Sequence, residues 1–223
     1  MINPNKIILS FDLDYTIINN EQGIINSFNY ALEKYNIKPL ETTEIEKLIG
    51  IPLHLMFKKV TNKDPFKLSK AFREYYSNKG INELVFISGA KEKLINLKKE
   101  GYNLGIITSK NQKLAIKLLK NQGIFQYFKY VLGETEERKQ KVDKSIKKFF
   151  QNNFPDKKVI IIGDHIKDRN LAEYLGVPFI GVLTGNHNEQ DLKKGITINY
   201  QIIDSIVKIN KELIYSLFNQ KNF

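Results

Sequence analysis

Short apolar runs recur along the chain, each closed by a glycine, a hydroxyl residue or an aspartate. KIILSF at 6–11, NLGIIT at 103–108, YVLG at 130–133, KVIIIGD at 158–164 and VPFIGVL at 177–183 read as short strands buried in a sheet. Helical patterns lie between them, at 89–100, 111–122, 141–153 and 168–175, with a terminal helix at about 204–219. Strands alternating with helices of this length predict βαβ units and a doubly wound parallel sheet of the Rossmann-like α/β class.

The alternation is interrupted once. INSFNYALEKYN at 25–36, TTEIEKLIG at 42–50, PLHLMFKKV at 52–60 and FKLSKAFREYYS at 66–77 have helical periodicity, and Pro39, Pro52 and Pro65 punctuate them. The expected organisation is therefore a catalytic core of residues 1–16 and 85–223 carrying an inserted α-helical cap at 17–84. An insertion that leaves the chain just after the first strand is expected at the carboxyl edge of the sheet.

Composition narrows the chemistry. With no cysteine among the 223 residues, thiolate nucleophiles and cysteine-ligated metal sites are excluded. His54, His165 and His187 are the three histidines and form no HExxH, which leaves a zinc hydrolase short of imidazoles. The net charge of +11 invites a nucleic-acid reading, yet Arg73, Arg138 and Arg169 are the only arginines and the lysines are spread over many predicted helices. Lysine lacks the planar fork that grips phosphate or guanine bidentately, so solvated helix faces are expected, with no specific nucleic-acid partner. The N-terminal apolar run is too short and too acidic for a signal peptide, and no stretch reaches the length of a membrane span, so a cytoplasmic protein is expected.

Three strand ends carry polar groups suited to phosphate chemistry. Asp12 and Asp14 in FDLDYT lie two apart at the end of the first strand, where side chains alternate and the two carboxylates face the same way. Asp164 and Asp168 in GDHIKD follow the strand at 158–163. Acidic pairs ending two strands of one sheet are costly unless a cation compensates them, and oxygen ligands select a hard ion such as Mg²⁺. Thr108, Ser109 and Lys110 close a third strand, where a hydroxyl is placed to donate to a phosphate oxygen or to cap a helix. A Walker loop, a GxGxxG and a GxSxG are all absent.

FDLDYT, IITSK and IIIGDHIKD, in this order and on predicted strands, resemble the three motifs of the haloacid dehalogenase superfamily of phosphohydrolases. The resemblance covers essentially the whole chain. A helical insert directly after DxDxT is similar to the cap of the phosphoglycolate phosphatase and β-phosphoglucomutase branch, and IGIPLHLMF at 49–57 looks like a cap segment of that branch.

The resemblance implies a Mg²⁺-dependent phosphatase acting on a small phosphorylated metabolite. Asp12 is then the nucleophile that forms an aspartyl-phosphate, and Asp14 the general acid and base. Asp12, the main-chain carbonyl of Asp14, Asp164 and Asp168 hold the metal, and Thr108 bonds the phosphoryl group. The phosphate-bridging lysine of the family falls among Lys139, Lys141 and Lys144, and Lys141, which opens a K-x-D ahead of an apolar helix, is favoured. Tyr15 departs from the family's usual glycine, and His165 from its usual serine or threonine. Two alternatives are a phosphomutase of the same superfamily and a non-catalytic module binding nucleic acid or protein.

Overall fold

The computed structural model describes residues 3–49 and 51–219. Met1, Ile2, Gly50 and residues 220–223 lie outside the described residues, and with them the end of the helical reading at 42–50 and the outermost ends of the expected core.

Two compact units emerge, one made of Met1–Asn19 with Phe86–Phe223 and the other of Asn20–Val85. In the first unit, β1 (Ile7–Phe11), β4 (Asn103–Asn111), β5 (Phe128–Glu134), β6 (Lys158–Gly163), β7 (Phe179–Val182) and β8 (Tyr200–Ile203) form one sheet in the order β5-β4-β1-β6-β7-β8. Every pairing in it is parallel. All five residues of β1 are buried, as a central parallel strand covered on both faces requires. The helices are α5 (Ala90–Lys99), α6 (Gln112–Asn121), α7 (Lys144–Asn153), α8 (Ile166–Leu175), α9 (Glu189–Lys193) and α10 (Lys211–Asn219). The Rossmann-like parallel sheet read from the apolar runs is thus the one observed.

Strand order reverses at β1, the switch point at which open α/β sheets form a crevice beyond their carboxyl ends. Phe11 pairs with Ile106 of β4 on one side and with Ile162 of β6 on the other. The residues following β1 therefore emerge between the ends of two strands that also carry polar groups.

In the second unit, α1 (Glu21–Lys34), α2 (Thr42–Glu46), α3 (Leu53–Val60) and α4 (Pro65–Asn78) enclose a small core. Phe28 and Phe57 stack with centroids 4.3 Å apart, among buried Leu32, Ile45 and Leu68. Proline punctuation acts as anticipated: Pro65 opens α4, and Asp64 caps it by accepting from Phe66 N–H at 2.9 Å.

Several elements differ from the sequence reading. The helix expected at 141–153 begins at Lys144 because Asp143 caps it, accepting from Ser145 N–H at 2.7 Å, so Lys141 stays in a loop. Asn111, not Ser109, caps α6, which lets β4 run past Thr108 to Asn111. The tail is a 3₁₀ turn at Ile206–Lys208 followed by α10, and α9, β8 and the short strands β2 (Ile18–Asn19) and β3 (Val85–Phe86) carry too few residues for a periodic signal. No helix among the described residues is long and apolar enough to cross a membrane.

Candidate active site

Asp12 directly follows β1, and its N–H still donates to Ile162 O of β6 at 2.7 Å. Asp164 directly follows β6. Asp168 stands in the first turn of α8, where it shares a capping box with His165: Asp168 Oδ2 accepts from His165 N–H at 3.1 Å. Adjacent strand ends and one helix start thus bring three carboxylates into a cluster whose ligand oxygens lie within 4.8 Å of one another.

Two glycines allow that approach. A Cβ on Gly163 would stand 2.2 Å from Asp168 Cγ, and one on Gly185 would stand 1.9 Å from Asp164 Oδ2. The chain thus packs backbone against both acids, which fixes their position.

Lys141 comes to this cluster from the loop between β5 and α7. Its Nζ lies 2.8 Å from Asp12 Oδ1 and also contacts Asp168 Oδ1, with only 2% of the side chain exposed. Burial alone would lower the pKa of this lysine, but the charges of Asp12 and Asp168 outweigh it and hold the ammonium form. Lys141, the lysine favoured among the three candidates, is the one joined to the carboxylates; Lys144 opens α7 and Lys139 is exposed.

Arg138 braces the loop that delivers Lys141. Its guanidinium donates to Gly133 O at 3.0 and 2.8 Å and to Gln112 Oε1 at 2.7 Å, which ties the loop to the end of β5 and the start of α6. Gln112 Oε1 also accepts from Gly133 N–H at 3.2 Å, closing the network.

Asp14 stands apart from the three-carboxylate cluster. Its Oδ2 lies 3.1 Å from Lys110 Nζ, while its Oδ1 is buried and accepts no hydrogen bond from a described residue. Burial raises the Asp14 pKa against the opposing charge of Lys110. Thr108 is buried on β4, and its Oγ1 accepts from Lys110 N–H at 3.2 Å, so the hydroxyl proton is left to donate elsewhere.

Around the acids, charge is unbalanced. Burial pushes Asp164 up to about 8, and the negative charges of Asp12 and Asp168 add to that. Burial raises Asp168 as well, with Lys141 opposing. One ammonium cannot balance three ionised carboxylates, so burial favours their protonated forms; ionised, they make an all-oxygen donor set that a hard divalent cation fits.

Sequence reasoning missed Thr16, Lys110 and Arg138 as individual residues. Thr16 is buried and donates from Oγ1 to Asp164 Oδ1 at 3.0 Å. The threonine of DxDxT and the lysine after Thr108-Ser109 were visible signals for the first two; Arg138 had none. At Tyr15 the backbone is left-handed (φ 57°), a conformation that favours glycine, and Thr184 Oγ1 donates to the Tyr15 carbonyl. His165 and His187 meet edge to face with centroids 4.2 Å apart, and burial followed by the neighbouring His187 lowers His165 to about 4.

A parallel sheet with acids at the ends of its switch-point strand and the neighbouring strand defines a Rossmann-like hydrolase core. The chain belongs to the haloacid dehalogenase-like hydrolase family, whose model matches residues 8–182. It is 31% identical to a protein of Caldanaerobacter subterraneus subsp. tengcongensis named as a pyrophosphatase, PpaX, over 77% of this chain and 79% of the relative. Phosphoglycolate phosphatase of Agrobacterium fabrum is 26% identical over 82% of each chain. A haloacid dehalogenase-like family hydrolase of Streptococcus pneumoniae superposes with a TM-score of 0.79 at 26% identity, covering 95% of this chain and 99% of the other.

Proposed function

We propose that this chain is a Mg²⁺-dependent phosphatase that hydrolyses a small phosphorylated metabolite through an aspartyl-phosphate on Asp12. The observation that carries the reading is Lys141, whose buried ammonium joins the partly exposed Asp12 carboxylate to Asp168 beside Asp164. The names of the relatives, which include a phosphoglycolate phosphatase and a pyrophosphatase, support the same class of reaction. The helical unit Asn20–Val85 is read as the cap domain of that branch.

In this reading an Asp12 carboxylate oxygen attacks phosphorus. The new O–P bond forms as the bond to the leaving oxygen breaks, and Asp14 gives that oxygen a proton. Asp14, now ionised, takes a proton from the water that attacks the aspartyl-phosphate, which frees inorganic phosphate and restores Asp12. Lys141 balances charge on the phosphoryl oxygens, and the Thr108 hydroxyl donates to one of them. Asp12, the main-chain carbonyl of Asp14 and Asp164 would hold Mg²⁺, with Asp168 in support. When bound, that ion offsets the repulsion between an anionic nucleophile and an anionic phosphate.

The test is phosphate release from a panel of phosphorylated metabolites, including phosphoglycolate, sugar phosphates and nucleoside monophosphates. Activity is expected with Mg²⁺, little with Ca²⁺ and none with EDTA. Asp12→Asn is expected to lose at least about three orders of magnitude while keeping its circular dichroism. A folded Asp12→Asn variant with near-parental turnover would refute the assignment, and phosphoryl transfer to a second sugar hydroxyl instead of water would mark a phosphomutase.

A further inference from the structure

Lys110 is a buried cation that the reaction sequence above does not use. Its side chain is only 9% exposed, and its Nζ lies 3.1 Å from Asp14 Oδ2. Taking an ammonium out of water is costly unless an opposite charge meets it, so this lysine is built to face Asp14, unlike the solvated lysines of the helix faces.

The backbone places it there. Along β4 and β5, Ile107 pairs with Leu132 and the next pair is Asn111 with Glu134, so β4 bulges over residues 108–110. A bulge re-aims the side chains it carries, and this one stands at the carboxyl end of the strand beside β1. Its form is fixed from two sides: Lys110 N–H donates to Thr108 Oγ1 at 3.2 Å, and a Cβ on Gly133 of β5 would stand 2.5 Å from Lys110 O.

Facing it, the chain after β1 turns tightly. The Ile17 and Ile18 N–H groups donate to Leu13 O at 3.0 and 3.1 Å, and Tyr15 N–H donates to Ile18 O at 2.6 Å. Both main chains are thus held, and the rotation of the Asp14 carboxyl group is left to its side-chain contacts. Oδ1 accepts no hydrogen bond from a described residue, so the contact that sets this rotation is the one between Oδ2 and Lys110.

We propose that Lys110 is a positioning residue for the acid–base step: through Oδ2 it fixes the plane of the Asp14 carboxyl group, and with it the direction of proton transfer to the leaving oxygen and then from water. The proposal rests on the phosphatase reading above and adds a residue to it. A carboxyl group free to rotate forfeits part of what a placed acid supplies. That loss is felt most when the leaving oxygen is basic, because an activated leaving group departs without a proton.

The test compares kcat/KM, with Mg²⁺ present, for p-nitrophenyl, phenyl and benzyl phosphate, whose departing oxygens are increasingly basic in that order. Lys110→Met is expected to lose at least about tenfold more on benzyl phosphate than on p-nitrophenyl phosphate, a part of the roughly 10²–10⁴-fold that a positioned acid contributes. Lys110→Gln, which keeps an N–H donor on a shorter stem, is expected to fall between methionine and the parent, and it carries the comparison if Lys110→Met does not fold. An equal loss on all three esters, as for a lysine that grips the phosphoryl group or only supports the fold, overturns the role.

Acid quenching followed by mass spectrometry reads the second step. Lys110→Met turning over p-nitrophenyl phosphate is expected to accumulate more aspartyl-phosphate than the parent, since Asp14 must also take the proton from water; a level no higher than the parent's overturns the role. A parent protein that turns over none of the three esters overturns the phosphatase reading and this role with it. A parent that turns them over, with a spread across the esters that Lys110→Met leaves unchanged, overturns the role alone.

Discussion

Thr16 Oγ1 donates a 3.0 Å hydrogen bond to Asp164 Oδ1 across 148 positions of sequence. The last residue of the first motif thus orients the first acid of the last motif, so the two halves of the cluster are joined without the substrate. Thr16→Val keeps the shape and removes the donor. The half-saturating Mg²⁺ concentration is expected to rise about tenfold, the lower end for loss of a supporting hydrogen bond at a metal ligand. A Mg²⁺ titration of activity checks this, and an unshifted curve would show that Asp164 needs no such support.

Lys141 is a buried cation between two carboxylates, and removing it strands both. Lys141→Met is expected to cost about 3 kcal/mol of stability, read by denaturant unfolding, together with nearly all activity. Lys141→Arg retains the charge but not the compact ammonium that reaches Asp12 and Asp168 together, so it is expected to recover stability in part and activity little. Full activity in the arginine variant would indicate that charge alone suffices.

Arg138 acts on Lys141 through the loop. Arg138→Ala removes four donated hydrogen bonds and is expected to lower kcat about tenfold with a smaller change in KM, since the substrate-facing groups remain. Guanidinium added to the assay is expected to restore part of the rate. A purely structural loss would lower the melting temperature without that recovery.

Gly185 makes room for Asp164. In Gly185→Ala the new methyl would occupy space held by the carboxylate oxygen, 1.9 Å from its centre, so Asp164 must shift. A displacement of about 1 Å at a reacting site costs about a hundredfold in rate. The expected signature is a large loss of kcat/KM with modest loss of stability; parental kinetics would place the acid elsewhere during turnover.

The fold class was legible in the sequence because a central parallel strand is buried on both faces: Ile7, Ile8, Leu9 and Phe11 stand as one apolar run, closed by the polar residues of the crevice. Asp12 and Asp164 were legible for the same reason, as each interrupts such a run at its carboxyl end. The sequence also carried the helical segment between the first and second strands of the main sheet, through its periodicity and its prolines. Lys141 was favoured in the sequence only through its likeness to a family pattern, and the packed structure is what brings it to the acids. Lys139, Lys141 and Lys144 sit in one irregular, lysine-rich stretch with no period to orient them, and capping by Asp143 together with the Arg138 clamp turns Lys141 inward. Only the fold separated Asp14 from the three-carboxylate cluster, since a local i, i+2 rule cannot foresee that Lys110, from a neighbouring strand, holds it. Local pattern reports burial and strand ends, whereas ion pairs between residues distant in the chain depend on register and loop path, which the packed sheet sets.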